Sequence, residues 1–218
     1  MEQQPTMISV IGSPGSGKST FAKGVVMSRR YIGRSAHISL GQEIRDIRAG
    51  HKESPVARDI DIHYKSHDHY DLLPDEIIDR VALDALRHYR NTDLDLIVVD
   101  GMPRRESQIS DLLQLAGASY RFGGAIHTTI SREEALIRLT QRGGRATGEE
   151  PNSEAIALHR LELYEANSLN VPLAFSHYHV PVFELSTEGP KEATLRQGLG
   201  RVASMMASRP LYETGEPA

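Results

Sequence analysis

The run Met7-Ile8-Ser9-Val10-Ile11-Gly12-Ser13-Pro14-Gly15-Ser16-Gly17-Lys18-Ser19 decides how this chain of 218 residues folds. Residues 7–12 are short, apolar and β-prone, and residues 21–29 carry a helical pattern. Between them stands GxxxxGK[ST], a pattern expected by chance in roughly 1% of chains of this length. Its glycines let the backbone turn tightly enough for successive N–H groups to face one anion. The helix that follows directs its positive end to the same place. Gly12, Ser13, Pro14, Gly15, Ser16, Gly17, Lys18, Ser19 and Thr20 are therefore the expected cradle for the phosphates of a nucleoside triphosphate. Lys18 adds a mobile charge at the β- and γ-phosphates, and Ser19 is an expected magnesium ligand.

Outward from that loop, further β-prone runs lie at 36–40, 95–100, 124–130 and 180–186, with amphipathic stretches between them. The clearest helix is predicted over 74–90, where Ile77, Ile78, Val81, Ala82, Leu86 and Tyr89 form an apolar stripe behind Pro74. Ser131 and Glu134 make a capping-box pattern ahead of Ala135, Leu136 and Leu139. Strands alternating with helices predict an α/β fold: a five-stranded, mainly parallel sheet with helices on both faces. Ligands of such sheets bind beyond the carboxyl ends of the strands. Leu96-Ile97-Val98-Val99 is apolar enough for a strand buried on both faces, so Asp100 emerges at its carboxyl end as the second expected magnesium ligand.

Composition narrows the function classes. There are 25 basic and 29 acidic side chains, a net charge of −4, no cysteine and no tryptophan. That balance disfavours a dedicated nucleic-acid binder, and the lack of cysteine removes disulfides, thiolate zinc sites and cysteine nucleophiles. The apolar run after Thr6 is too short for a signal peptide or a membrane span, which predicts a soluble, cytoplasmic protein with no membrane partner. Residues 209–218, rich in Pro, Gly and Glu, read as a loosely held tail. His63 and His67 are spaced to share a helix face with His69 close behind, a zinc-compatible pattern that solvated histidines before a turn explain as well. Met205 and Met206 read as core packing.

Asp100-Gly101-Met102-Pro103-Arg104, followed by Gln108, resembles the DGFPRxxxQ signature of the nucleoside monophosphate kinases, and within them adenylate kinase. His37-Ile38-Ser39-Leu40-Gly41-Gln42-Glu43-Ile44-Arg45 is similar to that family's ISTGDxLR segment, and Leu72-Leu73-Pro74-Asp75-Glu76 to its LVPDE. Arg138 and Arg142 fall where the family carries two arginines before its lid, and Arg160-Leu161 through Tyr164 resembles its RLxxY helix. Order and spacing together carry the resemblance over most of the chain.

The resemblance implies one kinase domain over 1–218, with an acceptor-binding segment at 41–71 and a short, zinc-free lid at 141–153. It implies that Mg·ATP gives up its γ-phosphoryl group to a nucleoside monophosphate. By the same resemblance Ser39, Arg45, Gly101, Arg104 and Gln108 bind the acceptor, and Arg138 stacks on the donor base. Lys18, Arg104, Arg142 and Arg160 act on the transferring group. On a helix Arg138 and Arg142 share a face. The amide of Gln108 can both donate and accept, matching the N1 and N6 edge of adenine, so AMP is the favoured acceptor. The chain departs from the pattern at Leu40, where the family has threonine, at Gln42, where it has aspartate, and at Pro151 and Asn152, where the lid has an acidic pair. Glu149 or Glu150 is the candidate substitute for that pair, and Arg145 is a further lid candidate, four residues further from Arg160 than the pattern has it. Those departures keep two alternatives open: a kinase for a modified nucleotide or other small acceptor, and an ATP-binding regulatory module with little turnover. A monomer is expected.

Overall fold

The computed structural model describes residues 4–66, 73–89, 92–117, 119–141 and 154–208. Strand β1 (Thr6–Gly12) runs into α1 (Lys18–Met27) and the short α2 (Arg29–Ile32), which lead to β2 (Ser35–Ser39). Three helices, α3 (Leu40–Arg48), α4 (Ala57–Ser66) and α5 (Asp75–Arg87), separate β2 from β3 (Leu96–Asp100). Next come α6 (Gln108–Gly117) and β4 (Arg121–Thr129). Helices α7 (Arg132–Gln141), α8 (Glu154–Asn167) and α9 (Val171–Ala174) and a 3-10 turn, Phe175–Tyr178, precede β5 (Val182–Ser186) and α10 (Lys191–Ala207).

The strands form one sheet in the order β2-β3-β1-β4-β5, with every neighbouring pair parallel. The α/β class expected from the sequence is the one observed. The chain leaves β1 toward β2 and β3 on one side and later adds β4 and β5 on the other. Connections diverging in this way open a crevice at the carboxyl end of β1, where the glycine-rich loop lies.

Alternation along the strands explains the two-faced core. Met7 and Ile11 of β1, with Ile97 and Val99 of β3, pack on the side of α3, α5 and α6. Their neighbours Ile8, Val10, Leu96 and Val98 pack on the opposite side with Phe21 and Val25 of α1 and Val202 and Met205 of α10. Met205 is thus buried and Met206 packs against the same layer, as the sequence suggested. Ring and backbone meet closely there: a Cβ added to Gly198 of α10 would stand 2.2 Å from Phe21 Cε2. No described helix is long and apolar enough to cross a membrane.

The element ends differ from the sequence reading in instructive places. Leu40, expected to finish β2, instead opens α3 and is fully buried. The helix expected over 74–90 is Asp75–Arg87, with Pro74 as its N-cap. The capping box is only half made. Glu134 N donates to Ser131 Oγ at 3.4 Å, but Ser131 N donates to Glu188 Oε1 at 2.9 Å, and the Glu134 carboxylate takes Arg138 Nε at 2.8 Å. A charged partner for Glu134 and a carboxylate delivered just beyond β5 outcompete the reciprocal local bond.

Asp79 of α5 stands beside Asp111 of α6. Burial raises its pKa, and the charges of Asp111 and Asp75 raise it further, to about 6. Its Oδ1 is buried without a hydrogen-bond partner. A folded-state pKa above the unfolded value means that the fold favours the proton, so the favourable contribution is complete below about 3.8 and is lost as pH rises through about 6. Asp79→Asn is therefore expected to raise Tm at pH 7.5 and to leave it unchanged at pH 4. Face-value linkage gives about 3 kcal/mol; with the group half exposed, solvent screening reduces this to about 1 kcal/mol, or roughly 2–4 °C. Thermal unfolding at the two pH values checks it, and a lower Tm at pH 7.5 would contradict it.

Candidate active site

The phosphate loop is held by its own chemistry. Gly12, Gly15 and Gly17 have φ of 141°, 83° and 78°. At Gly12 an added Cβ would lie 2.3 Å from the carbonyl oxygen of Thr128 on β4, so a side chain is excluded by contact as well as by conformation. Ser16 Oγ donates to Ser13 O at 2.7 Å and lies 2.8 Å from Thr128 Oγ1, fixing the bend of the loop against β4. Lys18 Nζ donates to Gly12 O at 2.8 Å and to Ser13 O at 2.7 Å, placing its ammonium over the loop. Helix α1 starts after Gly17 with no side-chain cap, which leaves the first-turn N–H groups to an anion. Ser13 and Pro14 are half-buried on the rim, and Thr20 is exposed.

Beside the loop, Ser19 Oγ donates to Asp100 Oδ2 at 2.5 Å. Asp100 is 3% exposed, and burial alone would raise its pKa; His37, the Lys18 charge and the Ser19 hydroxyl outweigh that and hold the carboxyl below its usual range. A hydroxyl and an ionised carboxylate sharing one corner are hard oxygen donors, the kind magnesium takes when phosphates and water complete its shell. The residues fit that ion. Parallel register brings the corner together: Asp100 of β3 pairs with Ser39 of β2 on one side and Val10 of β1 on the other.

The third element is a pair of arginines. Arg104 Nε donates to Gly101 O at 3.0 Å, and Arg45 Nη2 donates to Gln42 Oε1 at 2.8 Å. Both guanidinium groups then converge on Gly41: a Cβ there would be 3.5 Å from Arg45 Nη1 and 4.0 Å from Arg104 Nη2. Arg45 Nε is buried without a hydrogen-bond partner. Burial pushes the Arg104 pKa down, with Tyr64 and Asp100 opposing and Arg105 and Arg45 adding to the decrease. Ser39 and Gly101 are half-buried at the adjoining strand ends. Gln108 is 1% exposed, and its Oε1 accepts from Arg104 N at 2.7 Å.

On the other flank, Arg138 of α7 donates from Nη2 to Thr187 O at 2.9 Å, and Thr187 borders Gly17 of the loop. Arg160 is half-buried on α8, which packs on α7 through Ala135, Leu139, Ala157 and Leu161. Arg142, Arg145, Glu149, Glu150, Pro151 and Asn152, and the lid apart from Gln141, lie outside the described residues, as do His67, His69 and the tail from 209. Among the described residues no group of three or more His, Cys, Asp or Glu side chains is placed to hold a metal ion.

A family described as "AAA domain" matches residues 11–156, more than half of the chain. The adenylate kinase of Pseudarthrobacter chlorophenolicus is 32% identical over 161 residues, covering 73% of this chain and 77% of that protein. The chain belongs to the adenylate kinase family. The Nitratiruptor adenylate kinase is 30% identical over 157 residues, covering 71% and 74%. That of Chlamydia trachomatis is 29% identical over 154 residues, covering 65% of this chain; the chain spans only 59% of that relative's length.

Within the adenylate kinase framework two residues stand in the site to which the sequence reading gave no role there. His37 Nε2 lies 3.5 Å from Asp100 Oδ2, and its side chain is 9% exposed. The available signal was an ionisable residue inside a short β-prone run, Ser35–Ser39. His127 of β4 pairs in register with Ile11 on one side and Glu184 on the other. Burial lowers its pKa, Glu184 opposes, and the Lys18 charge adds to the decrease.

Proposed function

We propose that the chain is a phosphotransferase that moves the γ-phosphoryl group of Mg·ATP to a nucleoside monophosphate, AMP foremost. The observation that carries this reading is the convergence of Arg45 and Arg104 beside the phosphate loop, with no carboxylate ion-paired to either among the described residues. Two rigid cationic forks without an internal counter-ion suit a doubly charged oxyanion. A phosphate monoester, with a second pKa of about 6, is one near neutral pH.

An oxygen of the acceptor phosphate attacks the γ-phosphorus of ATP. The bond from that phosphorus to the β,γ-bridging oxygen breaks, and ADP leaves with the electron pair. The attacking oxygen is already ionised, so no general base is required. Lys18 and the N–H groups of the loop residues other than Pro14 are assigned the β- and γ-phosphates, and Arg138, which donates to Thr187 O beside the loop, is assigned the donor base. Arg142 and Arg160 are assigned the transferring group. Magnesium bound with ATP neutralises phosphate charge, and Ser19 and Asp100 would hold it.

Leu40 favours a second reading on acceptor identity: buried at the start of α3, it offers no hydroxyl to a ligand, which suits a modified nucleotide. ADP production from Mg·ATP over a panel of monophosphates separates the readings. Turnover with AMP is the expected result. ATP binding without turnover on any acceptor would replace the proposal with a nucleotide-gated binding module.

A further inference from the structure

We infer that Ser168, at the end of α8, is a positioning residue of the acceptor site: its hydroxyl holds the backbone of Arg104 and thereby aims that residue's guanidinium fork at the acceptor phosphate. This rests on the kinase reading above and adds a residue that acts on the acceptor through Arg104 rather than by touching it.

Arg104 lies between β3, which ends at Asp100, and α6, which begins at Gln108, so neither a strand ladder nor a helix supplies partners for its backbone. Side chains supply them instead. Gln108 Oε1 accepts from Arg104 N at 2.7 Å, and Ser168 Oγ donates to Arg104 O at 2.5 Å. The N–H belongs to the peptide plane before the Arg104 Cα, and the C=O belongs to the plane after it. Pinning both planes fixes φ and ψ, the two soft dihedrals of the residue, and so fixes the direction in which Cβ leaves the chain. Further out, Nε donates to Gly101 O at 3.0 Å, which leaves Nη2 facing Gly41.

The serine is itself held from both sides. Ser168 N donates to Tyr164 O at 2.8 Å, closing the last turn of α8, and Ser168 O accepts from Val171 N at 3.1 Å where α9 opens. Val171, Ala174 and Phe175 are buried in the same core layer as Met102 and Ile109, which bracket the Arg104 loop in sequence. Ser168 is 9% exposed, so its hydroxyl is directed inward at a fixed carbonyl. Water could satisfy that carbonyl if the hydroxyl were removed, but a water tied to nothing else imposes no direction on the peptide plane. The loss therefore falls on aim rather than on charge. Helix α8 carries Arg160 along its length and steadies Arg104 from its end.

The test is steady-state kinetics of Ser168→Ala and Ser168→Thr at varied AMP and Mg·ATP, with the alanine change also combined with Arg104→Lys. Ser168→Ala is expected to lower kcat/KM for AMP about 10-fold, chiefly through KM, with KM for ATP unchanged within about 2-fold. Ser168→Thr keeps the hydroxyl and is expected within about 3-fold of the parent chain. In the Arg104→Lys background the alanine change is expected to cost less than about 3-fold, because the fork that Ser168 aims is already gone. A loss of about 10-fold in that background, or equal damage to ATP and AMP kinetics, makes Ser168 a packing residue and overturns the inference with the kinase reading intact. Threonine behaving as alanine does contradicts it in the same way. A parent chain that turns over no monophosphate overturns both.

Discussion

Replacing Lys18 with methionine is expected to lower kcat/KM for ATP by about 10³-fold or more while moving Tm by no more than a few degrees. Methionine matches the length of the stem and removes only the ammonium. That ammonium now bridges Gly12 O and Ser13 O, and its charge is felt by both Asp100 and His127, which places it at the centre of the site's field. Loss of one preorganised donor to a developing charge typically costs about 10²–10³ in rate. Lys18 carries a full charge and also ties the loop carbonyls, so its loss belongs at or above the upper end. Steady-state rates with ATP, beside equilibrium binding of ATP, give the measurement. A loss of less than about 10-fold would remove Lys18 from the phosphate site altogether.

How much could be read without coordinates follows from how local each feature is. The phosphate loop was legible because its glycines, lysine and serine are contiguous and each has a separate physical duty. Asp100 was legible because it ends an apolar run, Leu96–Asp100, that only a strand buried on both faces explains. The remaining features depend on pairings across many residues. His37 meets Asp100 because β2 registers on β3 with Ser39 opposite Asp100, and no local pattern encodes that register. Ser131 finds Glu188 rather than Glu134 because β5 ends beside α7. The polarity of Gln108 was plain in the sequence, but the commitment of its oxygen to Arg104 N belongs to the path of the chain after Gly101. Gln42, which as a departure from the family pattern promised only a lost charge, joins Arg45 to Asp46: it accepts from Arg45 and donates to Asp46 Oδ1 at 2.8 Å. A neutral amide in that place adds no counter-charge of its own to Arg45.

Arg104→Lys is expected to lower kcat/KM for AMP by about 10²-fold or more, with KM for ATP unchanged within about 2-fold. Charge is nominally conserved, so the effect isolates geometry. Arg104 spends Nε on Gly101 O and keeps its Nη atoms for the space it shares with Arg45. A lysine has one nitrogen on a stem that must choose between the carbonyl and the phosphate, and it cannot form the paired bonds of a guanidinium fork. The electrostatics add a second signature. Burial and the nearby Arg45 and Arg105 already depress the Arg104 pKa, which arginine tolerates because its ordinary value is so high. The same surroundings acting on a lysine bring its titration toward the working range. The variant should therefore lose activity on AMP progressively as pH rises, where the parent chain does not. If ATP and AMP kinetics suffered equally, or if the pH profiles of variant and parent coincided, Arg104 would be a structural tie between Gly101 and α6 rather than the group that holds the acceptor.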